Sequence, residues 1–124
     1  MKGQHDYKAC MEEIHHLQKL DAPSGTAITL ANGILENNSD YSSWVLGEEK
    51  EPHTVDGQIG VTSYRLPDVP GTHIIKYSSP VDTITISHEA HNRTGFALGA
   101  VIAAEFVFNK QGVFTMNDVL NLSN

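Results

Sequence analysis

Cysteine is nearly absent from the chain, since Cys10 stands alone and an internal disulfide is therefore excluded. Cys10 lies in an alternating apolar stretch, which is more typical of a buried thiol than of a catalytic nucleophile. Basic residues are also scarce. Eight Lys and Arg stand against fifteen Asp and Glu, giving a formal charge of −7, and they form no run. We therefore expect no surface that binds nucleic acid.

Long apolar runs are missing as well. The longest extends from Phe96 to Phe108, which is too short to span a bilayer, and it contains Glu105. No secretory signal is recognised in the sequence. The prediction is a cytoplasmic protein that makes no contact with a membrane.

A glycine-rich phosphate loop is the third absence. No Gly-x-Gly-x-x-Gly follows a predicted strand, and the glycines of Gly57–Gly60 and Gly95–Gly99 have the wrong spacing. The sequence therefore predicts no dinucleotide-binding fold. A length of 124 residues suits one domain with a single core.

What the chain does contain is a mixed series of strand and helix patterns. The predicted strands are 7–16, 59–66, 73–77 and 83–90, and the predicted longer helices are 25–36 and 94–108. The segment 94–108 is apolar nearly all round, which predicts a buried helix. Thr115–Asp118 resembles a capping box and predicts a last short helix. Asn37–Pro52 is polar, with Trp44 as its only large anchor, and predicts a helix end followed by a loop.

These elements predict an α+β domain with a four-stranded mixed sheet. The two longer helices would cover one face, and the other face would carry Thr62, Tyr64 and alternate residues of strand 83–90. An uncovered face on so small a domain predicts pairing with a partner. Pro67–Thr72 contains two prolines and a glycine, which favours a loop that reaches a neighbouring subunit over a continued strand.

The densest group of reactive residues lies between 13 and 26. A histidine exchanges protons near neutral pH, so His15 or His16 could give a proton to a substrate or take one from it. Lys19 adds a compact positive charge that suits a carboxylate or a phosphate. These three side chains predict proton transfer on an anionic ligand.

The turn that follows strengthens this prediction. Ser24 or Thr26 could cap the helix 25–36, and the free N–H groups of its first turn would then form an anion site. Gly25 allows a ligand to approach the backbone closely. A proton donor, a cation and a helix N-terminus together favour a small carboxylate substrate.

Structural explanations compete with this interpretation. A Pro-Ser-Gly-Thr turn before a helix is by itself ordinary capping, and a pair of histidines is more often surface or core than catalytic. A metal site is disfavoured. On a strand His15 and His16 point to opposite faces, and no Cys or His partner stands at zinc-ligand spacing nearby.

As a whole, the string from Glu13 to Ala27 closely resembles the signature of the 4-hydroxy-tetrahydrodipicolinate reductase (dihydrodipicolinate reductase) family, which acts in bacterial lysine and diaminopimelate synthesis. The resemblance continues over nearly the whole chain except the variable stretch 37–56. Its motifs are Glu13-Ile14-His15-His16 with Lys19, Asp21-Ala22-Pro23-Ser24-Gly25-Thr26-Ala27, Ser63-Tyr64-Arg65, Gly71-Thr72-His73, Ile86-Ser87-His88-Glu89-Ala90, Arg93 and 112–122.

The resemblance implies roles for individual residues. His15 matches the family's proton donor and acceptor, and Lys19 matches its second catalytic proton donor. The substrate contacts that it implies are His16, Ser24, Gly25 and Thr26. Arg93 is a candidate supporting charge near His15, with a surface ion pair as the alternative. Glu13, His73, His88 and His91 are expected to be structural or interfacial, although a carboxylate beside a catalytic histidine can tune its proton affinity.

The chain departs from the family in one respect. Family members begin with a nucleotide-binding Rossmann domain that has no counterpart here, so residues 1–124 are expected to be the C-terminal substrate-binding and oligomerisation domain. The resemblance implies NADH or NADPH as the cofactor of the longer enzyme, bound mainly by the other domain, with no metal. It also implies a cyclic dicarboxylate substrate and a homotetramer.

Two functions stay open at this point. The first is a reductase domain that supplies a proton while hydride reduces the substrate. The second is a non-catalytic oligomerising module that only binds a dicarboxylate. A metal-dependent hydrolase finds no credible ligand set in the sequence.

Overall fold

The computed structural model describes Met1, residues 3–47 and residues 55–122. The described strands are β1 (Lys8–His15), β2 (Ser43–Gly47), β3 (Gln58–Arg65), β4 (Gly71–Ser78) and β5 (Thr83–Ala90), and the helices are α1 (Gly25–Asn37), α2 (Thr94–Val107) and α3 (Met116–Val119). They fall into two compact units, Met1–His91 and Asn92–Asn124. The predicted α+β class is confirmed.

The strands form one mixed sheet in the order β2-β3-β1-β4-β5. β1 is central, because it pairs in parallel with β3 on one side and antiparallel with β4 on the other. β2 adds in parallel to β3, and β5 adds antiparallel to β4. The carboxyl ends of β1 and β3 therefore meet at the same edge of the sheet.

The sheet has five strands where the sequence predicts four. The additional strand, Ser43–Gly47, lies inside the polar segment predicted as a helix end and a loop, and it pairs with β3. Residues 48–52 of that prediction lie outside the described residues. So short a strand carries little alternation of its own, and hydrogen bonding to β3 decides its conformation.

The core of the first unit lies between α1 and one face of the sheet. Its buried apolar residues are Ala9, Met11, Ala27, Ala31, Ile34, Tyr41, Ile59 and Val61. Side chains alternate across a strand, so one face of β1 carries Met11 and, two residues on, Glu13. α1 contributes three buried residues at helical spacing, two of them alanines that let the helix pack closely on the sheet. This packing fixes the N-terminus of α1 beside the end of β1.

The opposite face of the sheet, called here the open face, is defined by the strand register. Thr62 pairs with Glu12, Glu12 with Ile74, and Ile74 with Ser87. The residues on this face are Cys10, Glu12, Ile14, Gly60, Thr62, Tyr64, Thr72, Ile74, Lys76, Thr85, Ser87 and Glu89. The register thus places Thr62, Tyr64 and alternate residues of β5 on one face, as the sequence predicts.

Three side chains on the open face, Lys76, Glu12 and Cys10, have a described partner or a shifted pKa. Lys76 donates a hydrogen bond to Glu12 Oε1 at 2.7 Å. Cys10 is half-buried, and burial raises the pKa of its thiol. A raised thiol pKa keeps the group protonated, which fits a packing role better than a nucleophilic one.

The loop between β3 and β4 is shorter than the sequence predicts. Gly71 and Thr72 are buried and begin β4, so the prediction that 67–72 lies outside a strand is wrong at these two positions. The turn itself contains Asp68, whose φ of 58° lies in the left-handed region. Asp tolerates this region better than most residues because its side chain bonds the local backbone.

The second unit contains α2 and α3. Phe106 and Phe114 meet edge to face with ring centroids 5.5 Å apart, and Lys110 Nζ lies 3.1 Å from the Phe106 ring centre. The predicted capping box is confirmed, since Thr115 N donates to Asp118 Oδ2 at 2.6 Å. In the described part of the chain, none of the helices has the length and apolar character needed to cross a membrane.

The prediction that 94–108 is a buried helix is wrong for this chain, because α2 has no buried residue. Phe96 and Val101 are each 54% exposed. An apolar helix predicts that something covers it, but α3 has only four residues and is too short to do so. The pattern therefore identifies a surface that is apolar without being buried within one chain.

Candidate active site

The candidate site lies where β1 and β3 end and α1 begins. His15 is the last residue of β1 and Glu13 lies two residues before it, so both side chains lie on the same face as the core. His15 pairs with Arg65, the last residue of β3, across the parallel ladder. The loop 16–24 then returns the chain to Ser24, the N-cap of α1. Strand ends and a helix start thus converge on a small group of polar side chains.

Glu13 is the centre of this group. It is fully buried, and its carboxylate accepts hydrogen bonds from three residues. Arg65 Nη2 and Ser24 N reach Oε1 at 2.9 and 3.2 Å, and Arg65 Nη1 reaches Oε2 at 3.0 Å. His15 Nδ1 makes a close hydrogen bond to Oε2. Both oxygens of the carboxylate are therefore held by donors from the site.

These contacts decide the charge of Glu13. Burial works to raise its pKa, but the hydrogen bonds from Arg65 and His15 act in the opposite direction and outweigh it. The pKa of the Glu13 carboxyl therefore lies below its ordinary value. Glu13 is an anion at neutral pH, and the Arg65 guanidinium compensates its charge within the fold.

Arg65 also fixes the loop that carries Lys19. Its Nε donates to the Lys19 carbonyl at 3.3 Å, and its Nη2 donates to the Asp21 carbonyl at 2.6 Å. Lys19 Nζ lies 2.9 Å from Asp21 Oδ1, and this contact lowers the pKa of the Asp21 carboxyl. The Lys19 side chain is mostly shielded from solvent, whereas Asp21 is well exposed. The lysine ammonium is therefore held near the site by its own loop.

His73 joins the site from β4. Its ring meets the His15 ring edge to face, with centroids 5.1 Å apart. Burial lowers the pKa of His73, and the nearby charges of His15 and Lys19 act in the same direction. A neutral His73 can accept at Nε2, which lies 2.9 Å from Ser24 Oγ. Two histidine rings and one hydroxyl thus line the N-terminus of α1.

Ser24 is the N-cap that the sequence offered as one of two alternatives. Its Oγ accepts from Ala27 N at 3.2 Å. Gly25 and Thr26 follow in the first turn, where helix geometry leaves N–H groups without intrahelical partners. Both residues are exposed, and a Cβ built on Gly25 meets no atom within 4 Å. The start of α1 is accessible to an anion.

The structure brings together most of the predicted residues within the first unit. His15, Lys19, Ser24, Gly25 and Thr26 all belong to the first unit, around the end of β1. His16 follows β1 directly, and its Nδ1 lies 3.2 Å from Gln18 Oε1. Arg93 belongs to the second unit, as the N-cap residue of α2 without a side-chain cap hydrogen bond. The charge that supports His15 through Glu13 is Arg65.

Sequence reasoning underrated three residues. Glu13 and His73 are expected there to be structural, and Arg65 appears only within a motif. Glu13 does stand two residues before His15, and side chains two apart share a strand face, so this neighbour was foreseeable. Arg65 and His73 reach the site from other strands, and nothing in their local sequence signals it.

The described residues contain no group of three or more His, Cys, Asp or Glu placed to hold a metal ion. A cavity of about 600 Å³ lies at the other end of β1, lined by residues that include Tyr7, Cys10 and Tyr41. It does not include His15 or Lys19. The candidate site is therefore separate from this cavity.

Together, fold and site define an α+β domain that presents a histidine–carboxylate pair and a lysine beside an accessible helix N-terminus. Such a domain is equipped to bind a small anion and to move a proton to or from it. Residues 1–120 match the family model described as dihydrodipicolinate reductase, C-terminus. The chain therefore belongs to this family, and the resemblance identified in the sequence is confirmed.

Individual relatives agree with the family model. The chain is 54% identical over 98% of its length to the 4-hydroxy-tetrahydrodipicolinate reductase of Christiangramia forsetii, and covers 48% of that protein. It is 41% identical over 95% of its length to the reductase of the same name from Methanospirillum hungatei, and covers 46% of it. The chain thus spans about half the length of the curated relatives it matches.

A solved structure shows the same fold. Dipicolinate-bound dihydrodipicolinate reductase from Paenisporosarcina sp. TG-14 superposes with a TM-score of 0.61 at 29% sequence identity. The match covers 86% of this chain and 42% of that one.

Acid should weaken the fold through Glu13. Since its pKa is lower in the folded chain than in the unfolded one, its stabilising contribution is complete above the unfolded value, about 4.3. That contribution is lost as the pH falls from there through the folded value. We expect the denaturation midpoint, followed by Trp44 fluorescence, to fall more steeply below about pH 4.3 in the native chain than in Glu13→Gln. Parallel curves for the two proteins would contradict this assignment.

Proposed function

We propose that this chain is the substrate-binding and catalytic domain of a 4-hydroxy-tetrahydrodipicolinate reductase. The observation that carries the proposal is the placement of His15 and Lys19 beside the exposed first turn of α1. Family membership supports the same reaction, since the curated relatives have this name. The substrate would be a cyclic dicarboxylate, reduced to tetrahydrodipicolinate in lysine and diaminopimelate synthesis.

Each carboxylate of the substrate has a candidate partner in the site. The N–H groups of Gly25 and Thr26, with the Thr26 hydroxyl, suit one carboxylate because a helix N-terminus attracts anions. Lys19 and His16 would contact the rest of the ligand. The dipicolinate of the Paenisporosarcina structure is a cyclic dicarboxylate of this type. Positive charge around the site favours such a ligand over a neutral one.

The chemical task of this chain is proton transfer and orientation. NADH or NADPH supplies the hydride when it is bound. The start of α1 contains a single glycine, which suits a carboxylate better than a pyrophosphate, so we assign the main coenzyme site to a separate nucleotide-binding domain. His15 gives the reduced ring its proton, and Lys19 serves as a second donor or relays the proton.

We further propose that the working protein is a cytoplasmic homotetramer. The open face of the sheet supports this, because the described helix that packs on the sheet, α1, packs on the other face. Thr62, Ile74 and Ser87 would then lie at the interface. A sheet of this size with an uncovered, partly apolar face gains stability by pairing with a copy of itself.

A second function is a dicarboxylate-binding, oligomerising module without turnover. It fits the same site, because anion binding needs only the helix N-terminus and Lys19. It does not explain why a histidine bonded to a buried carboxylate stands beside them. Turnover measurements separate the two functions.

The isolated chain should bind dipicolinate. Lys19→Ala should weaken binding roughly 10- to 100-fold, since the loss of a charge-assisted hydrogen bond costs about 1.5–3 kcal/mol. Isothermal titration measures the affinity. Lys8→Ala is the matched control, because Lys8 is exposed at the opposite end of β1 and pairs with Asp56. Equal affinities of the Lys19→Ala variant and the native chain would contradict the assigned role.

Turnover should require a coenzyme domain. We expect no NAD(P)H oxidation by the isolated chain, and activity when it is fused to the N-terminal half of the Christiangramia forsetii reductase. In this fusion His15→Gln should lower kcat about 10²- to 10⁴-fold with little change in KM. Lys19→Ala should lower kcat and raise KM. An inactive fusion that still binds dipicolinate would favour the non-catalytic module.

The native chain should have four times its monomer mass of 13.6 kDa in solution. Ile74→Glu should dissociate it, because a second carboxylate would stand opposite Glu12 at the centre of the open face and would be buried without a partner. Val81→Lys is the control, since Val81 is 88% exposed in the turn before β5. Light scattering at micromolar concentration measures the mass. A monomeric native chain would refute the tetramer.

A further inference from the structure

The two oxygens of Glu13 each accept from two donors, but the donors differ in kind. Oε1 accepts from Arg65 Nη2 at 2.9 Å and from Ser24 N at 3.2 Å. Oε2 accepts from Arg65 Nη1 at 3.0 Å and from His15 Nδ1. Three of these four donors cannot become acceptors, because a guanidinium and a backbone N–H only donate. The His15 imidazole is the exception, since either of its nitrogens can carry the proton.

The charge of the carboxylate therefore decides the state of His15. An ionised carboxylate only accepts, so Nδ1 of His15 must carry a hydrogen to bond it. In neutral His15 the lone pair then lies on Nε2. A Cβ built on Gly71 would lie 3.1 Å from this Nε2, so the missing side chain at Gly71 leaves space beside that atom. The space is on the side of the ring away from Glu13.

We propose that Glu13, clamped by Arg65, is a positioning residue that holds neutral His15 in the Nδ1–H tautomer, so that Nε2 takes up a proton from water and, as imidazolium, passes it to the substrate. The proton exchange with the substrate rests on the proposed function, whereas the assignment of the His15 tautomer does not. Arg65 aligns the carboxylate through two parallel bonds, which fix its plane as well as its charge. Because Gly71 has no side chain, no Cβ stands beside Nε2 of the His15 ring.

In Glu13→Gln we expect the tautomer of His15 to change. Glutamine has one acceptor oxygen, and the Oε1 position faces two obligatory donors, Arg65 and the Ser24 backbone. The amide oxygen should settle there, which places its NH₂ group at the Oε2 position, facing His15. Of the two donors bonded to Oε2, Arg65 Nη1 can only donate and would lose this bond, whereas His15 can switch from donor to acceptor, so its proton should move from Nδ1 to Nε2.

Nuclear magnetic resonance of the imidazole nitrogens tests this in the 124-residue chain. Spectra are recorded near pH 8.5, above the ordinary titration range of imidazole, and His15→Gln assigns the signals. We expect protonated Nδ1 and unprotonated Nε2 in the native chain, and the reverse in Glu13→Gln. Glu12→Gln is the matched control, because Glu12 lies on the open face and pairs with Lys76. It should leave the His15 tautomer unchanged.

Kinetics of the fusion described above test the catalytic meaning. Glu13→Gln should lower kcat by about 10²-fold or more with little change in KM, since Nε2 would hold the hydrogen of the neutral ring and could not take up a further proton for the substrate. A switched tautomer with unchanged kcat would overturn the positioning role. An inactive native fusion with the Nδ1–H tautomer would count against the proposed function and leave the tautomer assignment standing.

If Glu13→Gln does not fold, the spectrum of the native chain still tests which nitrogen of His15 carries the proton. A native His15 that carries its proton on Nε2 at this pH overturns the inference. A glutamine variant that folds and retains the Nδ1–H tautomer also overturns it.

Discussion

The buried carboxylate of Glu13 is the interaction on which the site depends. An isolated anion inside a protein is strongly unfavourable, so it persists only when charged and polar donors surround it. Arg65 supplies the compensating charge from the end of β3, Ser24 supplies a backbone N–H from the start of α1, and His15 supplies a ring nitrogen. One buried group thus joins two strands, a loop and a helix at one point.

This arrangement explains why the parallel pairing of β1 and β3 matters for the chemistry. Parallel strands end at the same edge of a sheet, so His15 and Arg65 come into register there. An antiparallel neighbour would place the start of its strand at that edge instead. β4, which is antiparallel to β1, contributes Gly71 and His73 from its first residues for this reason. The site therefore takes residues from the ends of two parallel strands and from the start of an antiparallel one.

The charged side chains of the site are compensated by ion pairs with one another. Arg65 neutralises Glu13, while Asp21 accompanies Lys19 at the exposed rim. His73 is driven towards its neutral form by burial and by the charge of its neighbours. The net result is a neutral inner layer beneath a rim where Lys19 is paired with Asp21. An anion would meet Lys19 at the rim first and would not compete with Glu13 for Arg65.

Much of the fold follows from local patterns. Four strands, the helices 25–37 and 94–107 and the capping box of α3 were predictable, because each has its own periodicity or its own cap residues. β2 was not predictable, since its five residues depend on β3 for their conformation. The apolar character of α2 predicted burial, and this was wrong. A sequence pattern identifies which surface of a helix is apolar, but it does not identify what covers that surface.

The sequence by itself determined the family, the position of His15 and Lys19, and the capped helix that follows them, because these lie within one continuous string of residues. Only the tertiary structure decided that Glu13 is buried, that Arg65 compensates its charge, and that His73 and Gly71 border the His15 ring. These partners come from positions that are 49 or more residues away from Ser24 or Glu13 along the chain. Strand register brings them together, and no local pattern records it.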